Sequence, residues 1–262
     1  MRNGYSFKFT AVVPPISQGC EDGHGNYEGA AVHARWLHAV FAELLVLGVV
    51  REVPWRPKVV CPVNVIPKGD YDPVLKPDRL RLLLAQQDLN GYLSPPRYRN
   101  ESLHRARHMI RSTDRMLKYD MSSYFWSFAA ARQDQQYMGC TLGLEGPLGG
   151  RFFVWCCLPM GVSTSPWVSQ AMAWRLARRF RAIGLRLISY CDDWIFWVNP
   201  AIANEVATFV ESEFKLHGFV VAPQKTVGGP GVRKTVVLGV ECDLDAMVFR
   251  VPDEKREKIC TG

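Results

Sequence analysis

The feature that most constrains the fold is the segment from Leu187 to Val198, in which two adjacent aspartates separate two runs of aromatic and β-branched residues. Such runs favour half-buried strands, and Asp tolerates the geometry of a tight turn. The segment therefore predicts a β-hairpin with Asp192 and Asp193 at its tip. Because adjacent carboxylates repel each other unless a cation or a proton compensates them, the pair indicates a divalent metal site. A solvated turn is the alternative for an isolated Asp-Asp pair.

A second acidic strand end is predicted at Asp120, where the alternating segment from Arg115 to Asp120 stops. If this strand lies beside the hairpin, Asp120 and Asp192 together supply the oxygen ligands that Mg²⁺ prefers. Two such ions about 3.5–4 Å apart stabilise the attacking and leaving oxygens in phosphoryl transfer. We therefore predict two Mg²⁺ ions at this place, with Mn²⁺ as a substitute.

The composition is typical of an intracellular protein that binds a polyanion. The 262 residues are 48% hydrophobic, which allows a sizeable core, and the net charge of +7 suits a nucleic acid partner. The eight cysteines form no Cys-x-x-Cys pair, which argues against a zinc site or a disulfide framework. The sequence has no apolar run of transmembrane length, and residues 1–17 make a poor signal peptide. We expect no membrane partner and an intracellular location, with cytoplasm and nucleus not distinguished.

Several motifs follow one another along the chain in a fixed order. They are Val65–Asp70, Arg79–Leu84, Asp88–Asn90, Asp120–Trp126, Leu158–Pro166, Tyr190–Asp193, Gly218–Lys225 and Leu238–Val240. This succession resembles the reverse transcriptase family over about residues 40 to 259. The resemblance is closest to retroelement enzymes of the tyrosine-recombinase (DIRS-like) retrotransposons, in which Tyr-x-Asp-Asp-Trp and Leu-Pro-x-Gly-x-Ser-x-x-Pro recur.

The resemblance implies an α+β fold of the right-hand polymerase type, with fingers and a palm whose antiparallel sheet packs on helices. It assigns residues 1–94 and 128–164 to the fingers and residues 95–127 and 165–245 to the palm. Residues 246–262 are expected to form the end of the primer grip and the start of a truncated thumb, so that most of the thumb is absent.

Local sequence patterns predict the individual elements. Helices are predicted over residues 28–50, 101–112, 122–132, 166–182 and 201–217. Strands are predicted over residues 59–66, 80–85, 115–120 and 151–157, with hairpins over 187–198 and 236–251, after a loose lead-in at residues 1–27.

The family pattern gives roles to the acidic residues and to one aromatic residue. It assigns Asp120 and Asp192 as catalytic metal ligands and gives Asp193 a supporting part. Phe125 lies five residues after Asp120, where the family has a steric gate against the ribose 2′-hydroxyl. A bulky ring there favours dNTPs over NTPs. Ordinary core packing is the alternative for Phe125.

Two cations match the family's triphosphate-binding residues. Lys68 and Arg81 lie on the two strands of a predicted finger hairpin, and Arg79 replaces Arg81 if the register slips by two residues. Arg holds phosphate oxygens in a bidentate manner. A solvated charged hairpin is the alternative for both residues.

Further motif positions are assigned to substrate binding. Met160 and Gly161 fall in the loop that lines the nucleotide and template pocket in the family, where Gly permits close backbone approach. Lys225 belongs to the family's Pro-x-Lys element, which implies that it protonates or screens the leaving pyrophosphate. A surface lysine after a turn is the equal alternative for Lys225. Residues 238–240 resemble a primer grip. Ala85 and Gln87 stand where the family often has Asp and Arg, which puts template positioning in doubt.

The resemblance predicts an RNA-directed DNA polymerase that adds dNTPs to a DNA or RNA primer on an RNA template, as part of a retroelement polyprotein. An RNA-templated RNA polymerase and a catalytically inactive binding or scaffold domain with the same fold remain alternatives. A small-molecule nucleotidyltransferase is a third, which the basic charge of the chain disfavours.

Overall fold

The computed structural model describes residues 3–10, 25–69, 71–143, 146–253 and 255–256. Most of the predicted lead-in, part of the predicted thumb start, and Cys20 and Cys260 lie outside the described residues. The chain divides into two compact units. Unit 1 comprises Met1–Arg97 and Phe125–Val168, and unit 2 comprises Tyr98–Tyr124 and Ser169–Gly262.

The described residues form six α-helices and thirteen strands. The helices are α1 (Glu28–Val32), α2 (Ala34–Val46), α3 (Gln87–Asn90), α4 (Leu103–Ala106), α5 (Ser165–Ala182) and α6 (Ala203–Leu216). The first strands are β1 (Val50–Val53), β2 (Val63–Pro67), β3 (Leu80–Leu84), β4 (Arg115–Ser122), β5 (Gly139–Thr141) and β6 (Phe152–Trp155). The others are β7 (Arg186–Tyr190), β8 (Asp193–Val198), β9 (Val220–Val221), β10 (Val227–Val232), β11 (Lys234–Val237), β12 (Val240–Asp243) and β13 (Val248–Arg250).

Unit 1 contains two small antiparallel sheets. One has the strand order β1–β6–β5, and the other is the hairpin of β2 and β3, in which Ile66 lies opposite Arg81. Val63, Val65 and Leu80 of this hairpin are buried, whereas Arg81 is exposed. The hairpin therefore packs one face on the unit and turns the face of Arg81 towards solvent, as alternation along a strand requires.

Unit 2 is built on a sheet with the strand order β10–β4–β8–β7, and β9 pairs with the end of β4. Tyr119 of β4 and Trp194 of β8 lie directly opposite each other, and both pack on Phe214 of α6. Phe180 of α5 also packs on Trp194. Large aromatic side chains from two helices thus bury one face of the sheet, which stabilises it by about 1.5–3 kcal/mol per buried side chain.

The opposite face of this sheet packs on a second, three-stranded sheet of order β11–β12–β13. Met116, Ile195 and Trp197 of the first sheet form one core with Val237 and Cys242 of the second. Because side chains alternate along β4 and β8, Asp120 and Asp193 lie on the same face as this core, beyond its end.

Three helix predictions are wrong in extent. The helix predicted over 28–50 is interrupted at His33 and ends at Val46, where Gly48 has a φ of 67° and the chain continues into β1. The helix over 101–112 is limited to α4, since the Asp114 carboxylate accepts the N–H of Arg111 and offers the backbone an alternative to the helix. The segment 122–132 forms only a 3₁₀ turn at Tyr124–Ser127, after which Ala129 and Ala130 make β-bridges.

The helices predicted over 166–182 and 201–217 agree with α5 and α6, and the hairpin over 187–198 agrees with β7 and β8. The strand predicted over 59–66 begins only at Val63, and β1, β5, β9 and β10 were not predicted. The first strand of the hairpin predicted over 236–251 is divided by a turn into the end of β11 and β12, and β12 pairs with β13 as predicted. None of the described helices combines the length and the apolar composition that crossing a bilayer requires.

Candidate active site

The strands of unit 2 bring the three predicted aspartates together. Asp120, near the end of β4, lies directly opposite Asp193, the first residue of β8. Asp192 occupies the turn before β8, and its carbonyl oxygen accepts the N–H of Met121 at 3.0 Å. The two acidic segments, which are far apart in sequence, therefore meet on adjacent strands, as the sequence predicted.

Burial and mutual repulsion shape the electrostatics of this cluster. Burial is the main cause that raises the pKa of Asp192, and the Asp120 carboxylate raises it further. Burial also raises the pKa of Asp193, and the charge of Asp192 adds to this effect. The carboxylates thus repel one another in a partly desolvated place, where a cation gains more than it would in water.

Among the residues assigned to substrate binding, Lys225 forms an ion pair with this cluster. Its Nζ donates to both oxygens of Asp120, at 3.1 Å and 3.3 Å. Strand β9 places it there, because Val221 pairs with Met121 and the Ala222 N–H donates to the carbonyl of Asp120. The 3₁₀ turn Pro223–Lys225 then returns the lysine to the carboxylate. The predicted Pro-x-Lys element therefore lies at the acidic cluster itself.

The donor set has the chemistry of a magnesium site. Carboxylate oxygens are hard ligands, and Mg²⁺ usually takes one or two of them together with substrate phosphates and water. Within the described ranges, no group of three His, Cys, Asp or Glu side chains is arranged to hold one ion. The fit therefore rests on Asp120 and Asp192 as a pair, with Asp193 as their charged neighbour. The ammonium of Lys225 already marks the position of a positive charge beside Asp120.

Unit 1 contains a pocket of about 380 Å³ that is lined by predicted substrate-binding residues. Met160 and Gly161 form part of its wall, together with Ala85 and Gln87, the two positions that depart from the family pattern. Asn64 and Leu83 contribute from the β2–β3 hairpin. The loop around Gly161 and the end of β3 therefore border the same pocket.

Asn90 fixes the loop at this pocket. Its Nδ2 donates to the carbonyl of Gly161 at 2.9 Å, and its Oδ1 accepts the N–H of Ser163 at 2.8 Å. Gly161 has a φ of 110°, and a Cβ at this position would lie 2.8 Å from the carbonyl oxygen of Leu84. Only Gly fits such an approach without strain. The sequence marked Asn90 as part of a motif but gave it no role.

The two predicted phosphate-binding cations lie on the β2–β3 hairpin. Arg81 lies two residues from Leu83 on the same strand face, and Leu83 lines the pocket. Lys68 follows the end of β2, where its N–H donates to the carbonyl of Arg79. Arg81 is exposed on the same strand face as Leu83, and Lys68 lies opposite Arg79, beyond the last paired residues.

Phe125 lies in the 3₁₀ turn Tyr124–Ser127 and is half-buried. It belongs to unit 1, whereas Asp120 belongs to unit 2. The predicted primer grip forms the turn between β11 and β12, where Leu238 and Gly239 have φ values of 49° and 76°. Two successive positive φ angles are typical of a tight hairpin turn that matches the twist of its strands.

Comparisons with known proteins agree with this architecture. Residues 77–242 match the family described as "Reverse transcriptase (RNA-dependent DNA polymerase)". The Gag-Pol polyprotein of Avian leukosis virus subgroup A (isolate RSA) is 28% identical over 122 residues, which are 45% of this chain and 8% of that protein. The corresponding protein of Rous sarcoma virus subgroup B (strain Schmidt-Ruppin) is 27% identical over the same length. The chain thus spans less than a tenth of these relatives.

Solved structures show the same fold. A foamy viral protease-reverse transcriptase in complex with double-stranded DNA has a TM-score of 0.75 at 19% identity, over 97% of this chain and 40% of that one. The same kind of protein in complex with an RNA/DNA hybrid has a TM-score of 0.70 at 20% identity, over 95% of this chain and 30% of that one. The antiparallel sheets and packed helices therefore form a right-hand polymerase fold, as predicted. The chain belongs to the reverse transcriptase family.

Proposed function

We propose that this chain is the fingers and palm of an RNA-directed DNA polymerase, which adds dNTPs to the 3′ end of a primer. One observation carries the proposal: in a chain of the reverse transcriptase family, Asp120 lies directly opposite Asp193 and beside Asp192 on adjacent strands. Carboxylates whose pKa values are raised by burial and by mutual repulsion cluster at catalytic sites. Unit 1 corresponds to the fingers in this proposal, and unit 2 to the palm and the primer-grip hairpin.

In this proposal Asp120 and Asp192 hold two divalent ions, Mg²⁺ or Mn²⁺. When bound, these ions supply positive charge to the attacking 3′-hydroxyl oxygen and to the leaving pyrophosphate. Asp193 adds negative charge to the site without being an obligatory ligand. Lys225 Nζ donates to Asp120, so its ammonium lies where it would screen or protonate the pyrophosphate. The side chains position and neutralise the substrates and form no covalent intermediate.

The residues of unit 1 bind the nucleotide. Arg81 and Lys68 contact the triphosphate from the β2–β3 hairpin, while Met160 and Gly161 line the pocket for the nucleotide and the template base. Met160 offers no hydrogen bond to a sugar hydroxyl, so discrimination against ribose depends on the ring of Phe125. This division gives phosphate binding to the cations and sugar selection to one aromatic residue.

The proposed partners are an RNA template and a DNA or RNA primer. The net charge of +7 favours a polyanion. The foamy viral enzymes were solved with double-stranded DNA and with an RNA/DNA hybrid, which supports a duplex partner for this chain.

The origin of the chain is a further part of the proposal. The sequence Tyr190 to Trp194 and the loop from Leu158 to Pro166 favour a retrotransposon of the tyrosine-recombinase type. The Gag-Pol relatives support synthesis as part of a polyprotein. An intracellular location is supported by the six described cysteines, which are all free thiols. A recombinase reading frame beside this one in the source element would test the subtype.

Primer extension on an RNA template tests the proposed activity. The purified chain is mixed with an annealed primer, Mg²⁺ and either dNTPs or NTPs, beside Asp120→Asn and Asp192→Asn. The expected result is extension with dNTPs that both variants abolish. Extension with NTPs alone would identify an RNA polymerase. Duplex binding without extension in any nucleotide would favour the scaffold alternative.

A further inference from the structure

The strand that leads to Asp192 has one unusual edge. Strand β7 is the last strand in the order of its sheet and pairs with β8 on one side. Alternate residues of an antiparallel strand direct their N–H and C=O groups to opposite sides. Leu187, Ser189 and Cys191 therefore direct these groups away from β8, where buried backbone groups require other partners.

Three side chains provide those partners. Arg181 Nη2 donates to the carbonyl of Leu187 at 2.9 Å, and the Glu101 carboxylate accepts the N–H of Ser189 at 2.9 Å. Gln170 Nε2 donates to the carbonyl of Ser189 at 3.4 Å, and Gln170 Oε1 accepts the N–H of Cys191 at 3.0 Å. Side chains thus satisfy four backbone groups along the outer edge of β7 and the turn that follows it, where no strand of the described residues pairs.

These side chains are themselves held in place. Gln170 of α5 is fully buried, at 0% exposure, and Glu101 is 5% exposed. Arg181 Nη2 donates to both oxygens of Glu101, at 2.8 Å and 2.7 Å, which compensates the buried carboxylate. Buried amides and ion pairs with complete partners are rigid, because any displacement leaves a polar group unpaired.

The last contact in this set lies beside the active-site aspartates. Cys191 has a φ of 51°, a conformation that few residues other than Gly, Asn and Asp adopt readily. The Cys191 N–H donates to Gln170 Oε1, which holds Cys191 in that conformation. Asp192 is the next residue. Asn100 Nδ2 also lies 3.8 Å from the Cys191 sulfur. The chain therefore enters Asp192 through a residue with an unusual φ whose N–H donates to a buried amide.

We propose that Gln170, supported by Glu101 and Arg181, is a positioning residue that sets the turn at Cys191 and thereby places Asp192 for metal binding. The predicted effect on metal binding rests on the proposed function. The contact between Gln170 and the turn at Cys191 is present in the metal-free protein and does not depend on that function. Partners one step removed from a metal ligand typically contribute about 10–100-fold to metal affinity or activity.

The experiment compares Gln170→Met with Gln135→Met. Gln135 is also a buried glutamine, but it lies in unit 1. Its amide donates to the carbonyl of Ala130 and accepts from Arg51. Gln135→Met therefore controls for the general effect of losing a buried glutamine. Hydrogen exchange of the peptide 187–193 is measured without metal, and Mn²⁺ affinity is measured by electron paramagnetic resonance. We expect faster exchange in this peptide and an about tenfold loss of Mn²⁺ affinity in Gln170→Met only.

A second variant tests the route of the effect. Because Asn adopts positive φ more readily than Cys, Cys191→Asn in the Gln170→Met background should recover part of the lost Mn²⁺ affinity. Unchanged exchange in Gln170→Met, or equal Mn²⁺ loss in both glutamine variants, overturns the inference. Equal loss in the single and the double variant overturns the route through Cys191. If the wild-type chain binds Mn²⁺ but extends no primer, the proposed function is contradicted. The comparison of Gln170→Met with Gln135→Met still tests the positioning role of Gln170 in that case.

Discussion

Removal of the Lys225 side chain should increase the affinity of the acidic cluster for divalent metal. Lys225 Nζ lies 3.1 Å from Asp120 Oδ2, with the carboxylate 14% and the lysine 60% exposed. At an effective dielectric constant of about 20, the Coulomb attraction at this distance is about 5 kcal/mol. Water and side-chain entropy reduce the net value of such a partly exposed pair to about 1 kcal/mol. A metal ion that binds Asp120 must overcome this competitor, which corresponds to about fivefold in affinity.

Calorimetric titration with Mg²⁺ measures this effect in Lys225→Ala, with Lys234→Ala as the control. Lys234 also forms an ion pair, with Glu241 of the β11–β12–β13 sheet, and is similarly exposed at 53%. We expect Lys225→Ala to bind Mg²⁺ about fivefold more tightly and Lys234→Ala to bind it as the wild type does. Primer extension should be slower in Lys225→Ala, because the leaving pyrophosphate loses its cation. Weaker binding in Lys225→Ala would show that the lysine orients Asp120, and the competition argument would be refuted.

Three further predictions concern sugar selection, the pocket and stability. Phe125→Ala should raise the incorporation of NTPs relative to dNTPs. Unchanged discrimination between NTPs and dNTPs in this variant would contradict the steric-gate role of Phe125. Asn90→Ala breaks both hydrogen bonds to the loop at Gly161, so the free energy of unfolding should fall by about 2 kcal/mol. The KM for dNTPs should also rise. An unchanged KM would show that this pocket does not bind the nucleotide. Arg186→Met removes the bidentate partner of the buried Asp114 and should lower the free energy of unfolding by about 3 kcal/mol. Arg151→Met removes an exposed pair with Glu52 and should lower it by less than about 1 kcal/mol. Equal losses in denaturant unfolding would contradict the role of burial.

The parts of the site that the sequence predicted are those with a local pattern. The aspartates at the tip of β7 and β8 follow from alternation and turn chemistry within twelve residues, from Leu187 to Val198. The meeting of Asp120 with this hairpin followed only from the order of motifs along the chain, because strand pairing between distant segments leaves no signal in either segment alone.

The parts that the sequence did not predict depend on tertiary contacts. Strand β10 reads Val-Gly-Gly-Pro-Gly-Val, which has poor strand propensity. It pairs with β4, and a Cβ at Gly231 would lie 2.9 Å from the carbonyl oxygen of Met116, so Gly permits this close approach. The helix over 101–112 was overestimated because its periodicity gives no indication that Asp114 binds the N–H of Arg111. Gln170 and Glu101 lie in segments without any motif, and only the unpaired edge of β7 gives them a role.

Mn²⁺ binding to variants of the two aspartates shows whether Asp120 and Asp192 form one metal site. If Asp120 and Asp192 share the ions, Asp120→Asn and Asp192→Asn should each lower Mn²⁺ affinity by at least about tenfold. The double variant should then lose less affinity than the sum of the two single losses. Asp245→Asn, which removes an exposed carboxylate paired with Arg233, should bind as the wild type does. Wild-type Mn²⁺ affinity in either Asp120→Asn or Asp192→Asn would contradict the shared metal site and, with it, the proposed polymerase chemistry.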